Sequence, residues 1–308
     1  MKYKKRDFVS LIWKIFRAIL LIGISCIILF PLMVKFSTSL MTESAMFDQT
    51  VQWIPKTPTL SNYYNAFVGM DYWSAFVNSF LLTITVSLAQ LVSCTLIGYG
   101  FARFEFKGNS FFFALVIFTL IVPPQLIMVP LYLNFRFFNL FGLIGDTGLN
   151  LLNSFWPFVL TAITGTGLKN GLFIFIMRQF FKNMPVDLEE AAYVDGAGPV
   201  RTFVKIMLPA AIPALVIVFL FSFVWQWNDM FYKQLFLSGG NFLPFQLSNL
   251  AQYYADIHME RFGVPVSTYY ISILNNTGML MFILPLIILF SFLQRYFVES
   301  IERTGMVG

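Results

Sequence analysis

Charged residues are scarce in this sequence, and the common catalytic motifs are missing from it. Only 11% of the 308 residues are charged, whereas soluble domains average about a quarter. The sequence has no G-x-x-x-x-G-K-[ST] phosphate loop, no Cys/His metal spacing, no H-E-x-x-H motif and no recognisable nucleophile motif. It therefore predicts a chain that is not an enzyme and that holds no catalytic residue, metal or cofactor of its own.

Cysteine is also rare, and the basic residues do not form a patch. Cys26 and Cys94 both lie inside apolar segments, where two small packing residues are a better interpretation than the halves of a disulfide. The net charge is +5, but the basic residues stand at the ends of apolar runs, where they set membrane orientation. We therefore expect no nucleic-acid partner.

Long apolar segments fill most of the chain, which is 58% hydrophobic and contains 38 Phe. A membrane span needs about 20 predominantly apolar residues. Six such segments run over about 16–37, 76–101, 110–131, 155–181, 206–227 and 271–293. We predict an all-α integral membrane protein with about six transmembrane helices in the lipid bilayer, forming one domain over residues 1–308.

The basic residues predict the orientation of these spans. With the N-terminus inside, 14 of the 20 Lys and Arg residues fall in the predicted inner segments and 6 on the outer side. This distribution favours a multi-pass protein of the plasma membrane with both termini in the cytoplasm. It also places a loop at about 182–206 and a tail at about 294–308 on the cytoplasmic side.

The inner loop carries ordered helix signals. Asp187 is placed to cap a short helix with an acidic first turn, and Gly196 supplies a left-handed residue that ends it. Pro199 suits the start of a second helix, which Pro209 interrupts near the membrane. Spacing of i, i+3, i+4 and i+7 predicts that four residues share one face of the short helix: Leu188, Ala191, Ala192 and Asp195.

The spacing within this loop resembles a known motif. Glu190-Ala191-Ala192 is followed after three residues by Gly196, after nine more by Ile206, and then by Leu208-Pro209. This pattern is similar to the EAA loop of binding-protein-dependent ABC importer permeases. The flanks resemble the carbohydrate type, the maltose-type second permease subunit family, in RQFF (178–181), Pro185, VDGA (194–197), WQWND (225–229) and QRYFVE (294–299).

The resemblance implies a permease subunit that moves a sugar or oligosaccharide across the membrane. As partners it implies a second, homologous permease subunit in a heterodimer, two cytoplasmic ATPase subunits that carry ATP and Mg²⁺, and an extracytoplasmic solute-binding protein. Each ATPase subunit would hold the EAA coupling-helix loop of one permease subunit. The coupling residues would be Glu190, Ala191, Ala192, Asp195, Gly196, Ile206, Leu208 and Pro209. Glu190 would either contact the ATPase or brace the loop.

Two further segments are candidates for the solute pathway. The fifth span ends in aromatic, amide and carboxylate groups of the kinds that suit sugar rings and hydroxyls, and an aromatic anchor at the outer interface is the alternative. These residues are Trp225, Gln226, Trp227, Asn228 and Asp229. Lys169 and Asn170 lie in a glycine-rich interruption of the fourth span. An ionisable residue within a span indicates a functional site, and the alternative is a span that begins after Asn170.

Two other function classes are the alternatives to a permease subunit. A secondary transporter or channel subunit for a small polar solute usually shows repeated halves or membrane carboxylates, and no Asp or Glu lies deep in a predicted span. A membrane-embedded enzyme would need a polar catalytic set at one membrane face, and the sequence shows none. Small polar residues in the second span, such as Gln90, favour helix packing, with an aqueous path as the alternative.

Overall fold

The described part of the chain is built from α-helices. The computed structural model describes residues 2–48, 54–139, 142 and 148–305. Of these, the side chains are described only between residues 10 and 295. The all-α prediction is confirmed for this part, which contains no β-strand; residues 306–308 of the predicted tail lie outside it. The helices are α1 (Lys2–Ser39), α2 (Glu43–Phe47), α3 (Ser61–Gly69), α4 (Tyr72–Arg103), α5 (Asn109–Ile121), α6 (Pro124–Arg136), α7 (Trp156–Ile163), α8 (Asn170–Asn183), α9 (Asp187–Val194), α10 (Pro199–Thr202), a π-helical turn (Phe203–Met207), α11 (Leu208–Ala210), α12 (Ile212–Asn228), α13 (Phe231–Phe236), α14 (Leu243–Phe262) and α15 (Thr268–Gly305).

Three helices of the described chain are long and apolar enough to cross a membrane by themselves. They are Ser10–Ser39 in α1, Tyr72–Arg103 and Thr268–Arg295 in α15. Two bent pairs also qualify when each pair is taken as one span: Asn109–Ile121 with Pro124–Arg136, bent by 103°, and Pro199–Ala210 with Ile212–Asn228, bent by 74°. The described part thus supplies three to five candidate spans, and six crossings stay a prediction.

Proline sets both bends. Val122 is extended, with φ −69° and ψ 118°, as proline requires of the residue before it, and α6 begins again at Pro124. At the second bend the helix stops after Ala210 and resumes at Ile212. Pro213 has no N–H with which to continue the earlier helix, so the predicted interruption near Pro209 is observed two residues later, at Ala211.

The predicted fourth span, 155–181, is two helices rather than one. α7 has 8 residues and α8 has 14, and each is too short to cross a bilayer alone. Gly165 and Lys169 between them both have positive φ, +74° and +62°, which breaks the helical path. The predicted glycine-rich interruption is therefore present, as a turn that divides 155–181 into two helices.

One compact unit comprises Met1–Trp73 and Gln246–Leu284. The Asn62 side-chain amide donates hydrogen bonds to the carbonyls of Ser39 (2.9 Å) and Met41 (2.8 Å), which ties α3 to the end of α1. The buried hydrophobic cluster of this unit comprises Ala66, Met70, Leu250 and Leu274. This unit therefore has a small core of its own between α3, α14 and α15.

The second compact unit comprises Ser74–Phe245 and Pro285–Gly308 and contains all the predicted site residues. α4 runs through its core, and a Cβ on Gly98 would lie 2.6 Å from the Met177 Cβ and 3.0 Å from the Arg178 backbone nitrogen. The α4 and α8 backbones therefore approach more closely than any residue with a side chain allows. Most small polar residues of α4 are buried, which supports helix packing: Ser79, Thr83, Ser87, Gln90, Ser93 and Thr95. Cys94 is buried, as predicted for a packing residue, whereas Cys26 is exposed.

Candidate functional site

α9 carries the predicted EAA stretch. Its N-cap is Val186, which makes no side-chain cap hydrogen bond, so the predicted cap at Asp187 is wrong. The Val186 carbonyl instead accepts the backbone N–H groups of Glu189 (2.9 Å) and Glu190 (3.1 Å). Asp187 and both glutamates lie in the first turn, where negative charge stabilises the positive end of the helix.

The buried face of α9 consists of Glu189 and Ala192. Of the residues predicted to share one face, Ala192 is buried and the other three are exposed. The exposed side chains of α9 and its C-cap include Leu188, Glu190, Ala191, Tyr193, Val194 and Asp195. The Glu189 carboxylate accepts a hydrogen bond from the Tyr99 hydroxyl (2.9 Å) and lies 3.4 Å from the Arg103 Nε. A paired carboxylate can be buried where an unpaired one cannot.

Gly196 ends α9 in the predicted left-handed conformation, with φ +77°. The Gly196 N–H donates to the Tyr193 carbonyl (3.0 Å), and the Ala197 N–H donates to the Ala192 carbonyl (2.9 Å). These two bonds form a Schellman motif, which satisfies carbonyls that the helix end would otherwise leave unpaired. The angle at which the chain leaves α9 is therefore fixed by this turn.

A widened helix leads from the loop into α12. The π-helical turn Phe203–Met207 follows α10 directly. Thr202 and Met207 are fully buried, while the predicted coupling residues Ile206 and Leu208 are half-buried and Pro209 is exposed. These three residues therefore lie on the stem of the loop, and none of them belongs to the exposed surface of α9.

A cleft of about 440 Å³ lies between the α5–α6 bend and the turn that separates α7 from α8. Lys169 and Asn170 line it, as do the hydroxyl-bearing residues Thr119, Thr166 and Tyr232. A second cavity of about 120 Å³ shares Thr166 and Tyr232 with it. We call the two together the bend cleft; its larger part lies within the size range of small-molecule sites.

A buried hydrogen-bond network holds the wall of the bend cleft in place. The Gln90 side-chain amide donates to the Leu168 carbonyl (2.7 Å) and to the Asn170 Oδ1. Ser222 of α12 donates to the Gln90 Oε1, and the Asn170 amide donates to the Ala162 carbonyl (3.1 Å). Asn170 therefore supports the wall through its hydrogen bonds to α4 and α7.

The two tryptophans at the end of α12 have different environments. Trp227 is fully buried and stacks on Phe223, with ring centroids 5.8 Å apart. Trp225 is half-buried, contacts Phe173 and has the Lys169 Nζ 5.7 Å from its ring centroid. Of the two, only the Trp225 ring is partly accessible, and Lys169 lies beside it.

The remaining polar residues of the predicted cluster also point in different directions. Gln226 is buried and lines the smaller cavity of the bend cleft. The exposed Asn228 amide donates to the Val224 carbonyl (2.8 Å), and the Asp229 Oδ1 accepts the Tyr232 N–H (3.3 Å) at the start of α13. The five residues 225–229 therefore have different surroundings, and their role in a solute pathway stays a prediction.

Lys233, to which no sequence pattern pointed, is fully buried. Its ammonium donates to the carbonyls of Gln226 (2.5 Å), Trp227 (3.4 Å) and Asp229 (3.0 Å) at the end of α12. Burial lowers the pKa of Lys233 to about 8, and the charge of Asp229 opposes this change. Burial raises the pKa of Asp229, against the effect of the Lys233 charge. Lys233 therefore caps the C-terminal end of α12, the helix that carries Trp225 and Gln226.

Comparison with known proteins bears on the family of the chain. A family model described as "Binding-protein-dependent transport system inner membrane component" matches residues 94–303. The chain belongs to this family. Its members are permease subunits of ABC importers, so the chain is a transport component and not an enzyme, and the secondary-transporter alternative is excluded.

Individual relatives agree with this assignment. The permease is 30% identical, over 92% of its length and 93% of the other chain, to the arabinooligosaccharides transport system permease protein AraQ of Halalkalibacterium halodurans. It is 31% identical, over 82% of its length and 77% of the other chain, to the osmoprotective compounds uptake permease protein GgtD of Synechocystis. Its fold matches a chain in the crystal structure of a bacterial ABC transporter involved in the import of the acidic polysaccharide alginate. The TM-score is 0.70 and the identity 23%, over 93% of this chain and 96% of the other.

The different surroundings of Trp225 and Trp227 give a testable contrast in the permease. Trp227→Ala should lower the amount of folded protein, because emptying a buried tryptophan site costs about 3–5 kcal/mol. Trp225→Ala should leave the amount in the membrane unchanged and lower solute uptake several-fold, since it removes a half-buried aromatic face. Immunoblots of membranes and uptake assays measure the two effects; equal uptake per molecule in Trp225→Ala and the unaltered chain would contradict a role for Trp225 in transport.

Proposed function

We propose that this permease carries a sugar or oligosaccharide inward as one of two homologous, different permease subunits of an ABC importer. Two cytoplasmic ATPase subunits with ATP and Mg²⁺, and an extracytoplasmic solute-binding protein, complete the complex. The arabinooligosaccharide permease among the relatives supports a carbohydrate cargo. No step of ATP chemistry is assigned to this chain, because its sequence has no phosphate loop.

The observation that carries the coupling proposal is the exposed surface of α9. Val194 is 87% exposed and Tyr193 45% exposed, on a helix whose opposite face is held by a buried ion pair. Val200 nearby is 77% exposed. Exposed apolar side chains next to one another mark protein contact sites. We assign this surface, with Glu190, Ala191 and Asp195, to the cleft of an ATPase subunit.

The proposed topology places both termini and the α9 loop in the cytoplasm. The charge distribution along the chain supports it, since the basic residues concentrate on that side. The proposal includes contact between the tail, about 294–308, and the ATPase subunits. The side chains beyond 295 are outside the described residues, so the proposal for the tail rests on its sequence alone.

Cysteine labelling tests this topology. A Thr304→Cys variant, with Cys26 and Cys94 replaced by Ser, should react with a membrane-impermeant maleimide only after the cells are opened. The matched control is a cysteine at Lys56, in a segment that the topology places outside, which should react in intact cells. Efficient labelling of the cysteine at 304 in intact cells would overturn the proposed orientation.

The bend cleft is the proposed solute contact on this subunit. Thr119, Thr166 and Tyr232 offer hydroxyl groups that can exchange hydrogen bonds with sugar hydroxyls. Trp225 and Lys169 lie beside it. Helix breaks within the membrane occur where backbone lines a cavity or is buried in protein, which agrees with the turn between α7 and α8 forming one wall.

The transport cycle follows from these parts. The binding protein delivers the solute to the outer face, and ATP closes the ATPase dimer. The dimer pulls α9 of each permease subunit, and the two subunits change from inward-facing to outward-facing. ATP hydrolysis then returns them to the starting state.

Purification of the tagged chain in mild detergent tests the proposed function directly. Mass spectrometry of the bound subunits should find a second permease and an ATPase, and the neighbouring genes should encode a solute-binding protein. The ligand that this binding protein retains, identified after denaturation, should be a saccharide. A complex without an ATPase subunit would contradict the proposal, and a non-saccharide ligand would contradict its cargo.

A further inference from the structure

Arg103, the last residue of α4, contacts both sides of the turn between α8 and α9. Its Nη2 donates to the carbonyl of Met184, the C-cap residue of α8, over 2.9 Å. Its Nε lies 3.4 Å from the Oε2 of Glu189, in the first turn of α9. A single guanidinium therefore joins the end of one helix, the start of the next and the end of α4.

Tyr99 adds a second connection one turn earlier on α4. Its hydroxyl donates to the Oε1 of Glu189 over 2.9 Å. Its ring lies 4.6 Å from the ring of Phe203, in the π-helical turn that leads to α12, and 5.2 Å from the ring of Phe181 in α8. The same residue thus contacts α9, the last turns of α8 and the stem that leads to α12.

We infer that Tyr99, Arg103 and Glu189 form a buried clamp that makes α9 and the inner end of α4 move as one body when an ATPase subunit displaces the loop. This inference rests on the proposed function, since it presupposes that the ATPase binds α9. The three residues are positioning residues: they face away from the exposed α9 surface, and their effect on the ATPase passes through the backbone of α9.

Burial makes the clamp a firm connection. The Arg103 and Glu189 side chains are only 9% and 8% exposed. Separating such a pair leaves each desolvated charge without its opposite charge, whereas an exposed pair would exchange its contacts with water at little cost. When α9 is displaced, moving α4 along with it is therefore favoured over opening the clamp.

A Glu189→Gln variant tests the clamp in the complete complex, purified through the tagged chain and reconstituted in liposomes. Glutamine keeps the size of the side chain and its acceptor oxygen for Tyr99 but removes the charge that pairs with Arg103. We expect the ATPase to remain bound while stimulation of ATP hydrolysis by the binding protein falls at least about ten-fold, within the usual range for coupling between sites. The matched control, Asp187→Asn in the same turn, neutralises an exposed carboxylate and should keep its stimulation.

The double variant Glu189→Gln with Arg103→Met separates coupling from folding, because it leaves neither charge buried alone. It should insert at the level of the unaltered chain, retain the ATPase and remain poorly stimulated. Tyr99→Phe, which removes one hydroxyl, should raise the ATP hydrolysed per solute transported, a ratio that a mere loss of folded protein would not change. Full stimulation in either Glu189→Gln or the double variant would overturn the clamp. An unaltered chain without bound ATPase would overturn the proposed function instead.

Discussion

A Gly196→Val variant is expected to insert normally but to lose the ATPase or its stimulated hydrolysis. Gly196 has φ +77°, and a Cβ there would meet nothing within 4 Å, so the effect comes from the backbone alone. A side chain in the left-handed region costs about 1–2 kcal/mol, and a β-branched one is a genuine outlier there. Relief of this strain would turn α9 away from the direction that the Schellman motif gives it.

Gly198 provides a matched control two residues further on. It has φ −77° and ψ 167°, a conformation open to any residue, and a Cβ there also meets nothing within 4 Å. Gly198→Ala should therefore behave like the unaltered chain, whereas Gly196→Ala should show a weaker form of the Gly196→Val defect. Pull-down of the ATPase and binding-protein-stimulated hydrolysis in liposomes measure both.

Glu190→Lys should give the same defect by another route. Glu190 is exposed in the first turn of α9, so the change places a cation at the positive end of the helix and reverses the charge shown to a partner. Insertion should be unaffected. If Gly196→Val and Glu190→Lys both hold the ATPase with normal stimulated hydrolysis and uptake, the α9 loop is not the coupling element.

The second large effect is expected for Lys233→Met. The substitution removes the donor that three carbonyls at the end of α12 share, and it removes the cation beside the half-buried Asp229 carboxylate. Unsatisfied buried acceptors and unpaired charges together cost about 3–5 kcal/mol. The purified chain should unfold at a lower temperature in detergent and reach the membrane in smaller amounts.

Lys107→Met, at an exposed lysine, is the control and should leave the unfolding temperature unchanged. Asp229→Ala should lower the stability of the chain as well as uptake. Asp229 accepts the Tyr232 N–H, and its negative charge stabilises the positive charge of Lys233. Equal unfolding temperatures for Lys233→Met and the unaltered chain would show that the buried ammonium contributes nothing to the fold.

Features that depend on neighbouring residues could be predicted from the sequence. The left-handed Gly196, the proline bends and the break between α7 and α8 all follow from residue types within a few positions. The burial of Glu189 could not be predicted, because its partners, Tyr99 and Arg103, stand about 90 residues away in sequence. A carboxylate in a polar loop gives no local sign of such pairing.

Residues 225–229 have different surroundings for a geometric reason. Successive residues in an α-helix lie about 100° apart around the axis, so consecutive residues point in different directions. Trp225 and Trp227 consequently have different neighbours, one beside Lys169 and one inside the core. Lys233 had no signal of its own, since a lysine beyond an apolar helix is normally exposed.

The π-helical turn affects how this chain is aligned with its relatives. In a π-helix hydrogen bonds span five residues rather than four, which amounts to one inserted residue, and this explains how Thr202 and Met207, five apart, are both fully buried. The stretch from Gly196 to Leu208 thus holds one residue more than an ordinary α-helix would need to present the same faces. A homologue with one residue fewer in this turn could present the same faces through an ordinary α-helix. A one-residue gap in an alignment at this turn would then mean that the π-helical turn is replaced by α-helix, while the loop and α12 keep their positions.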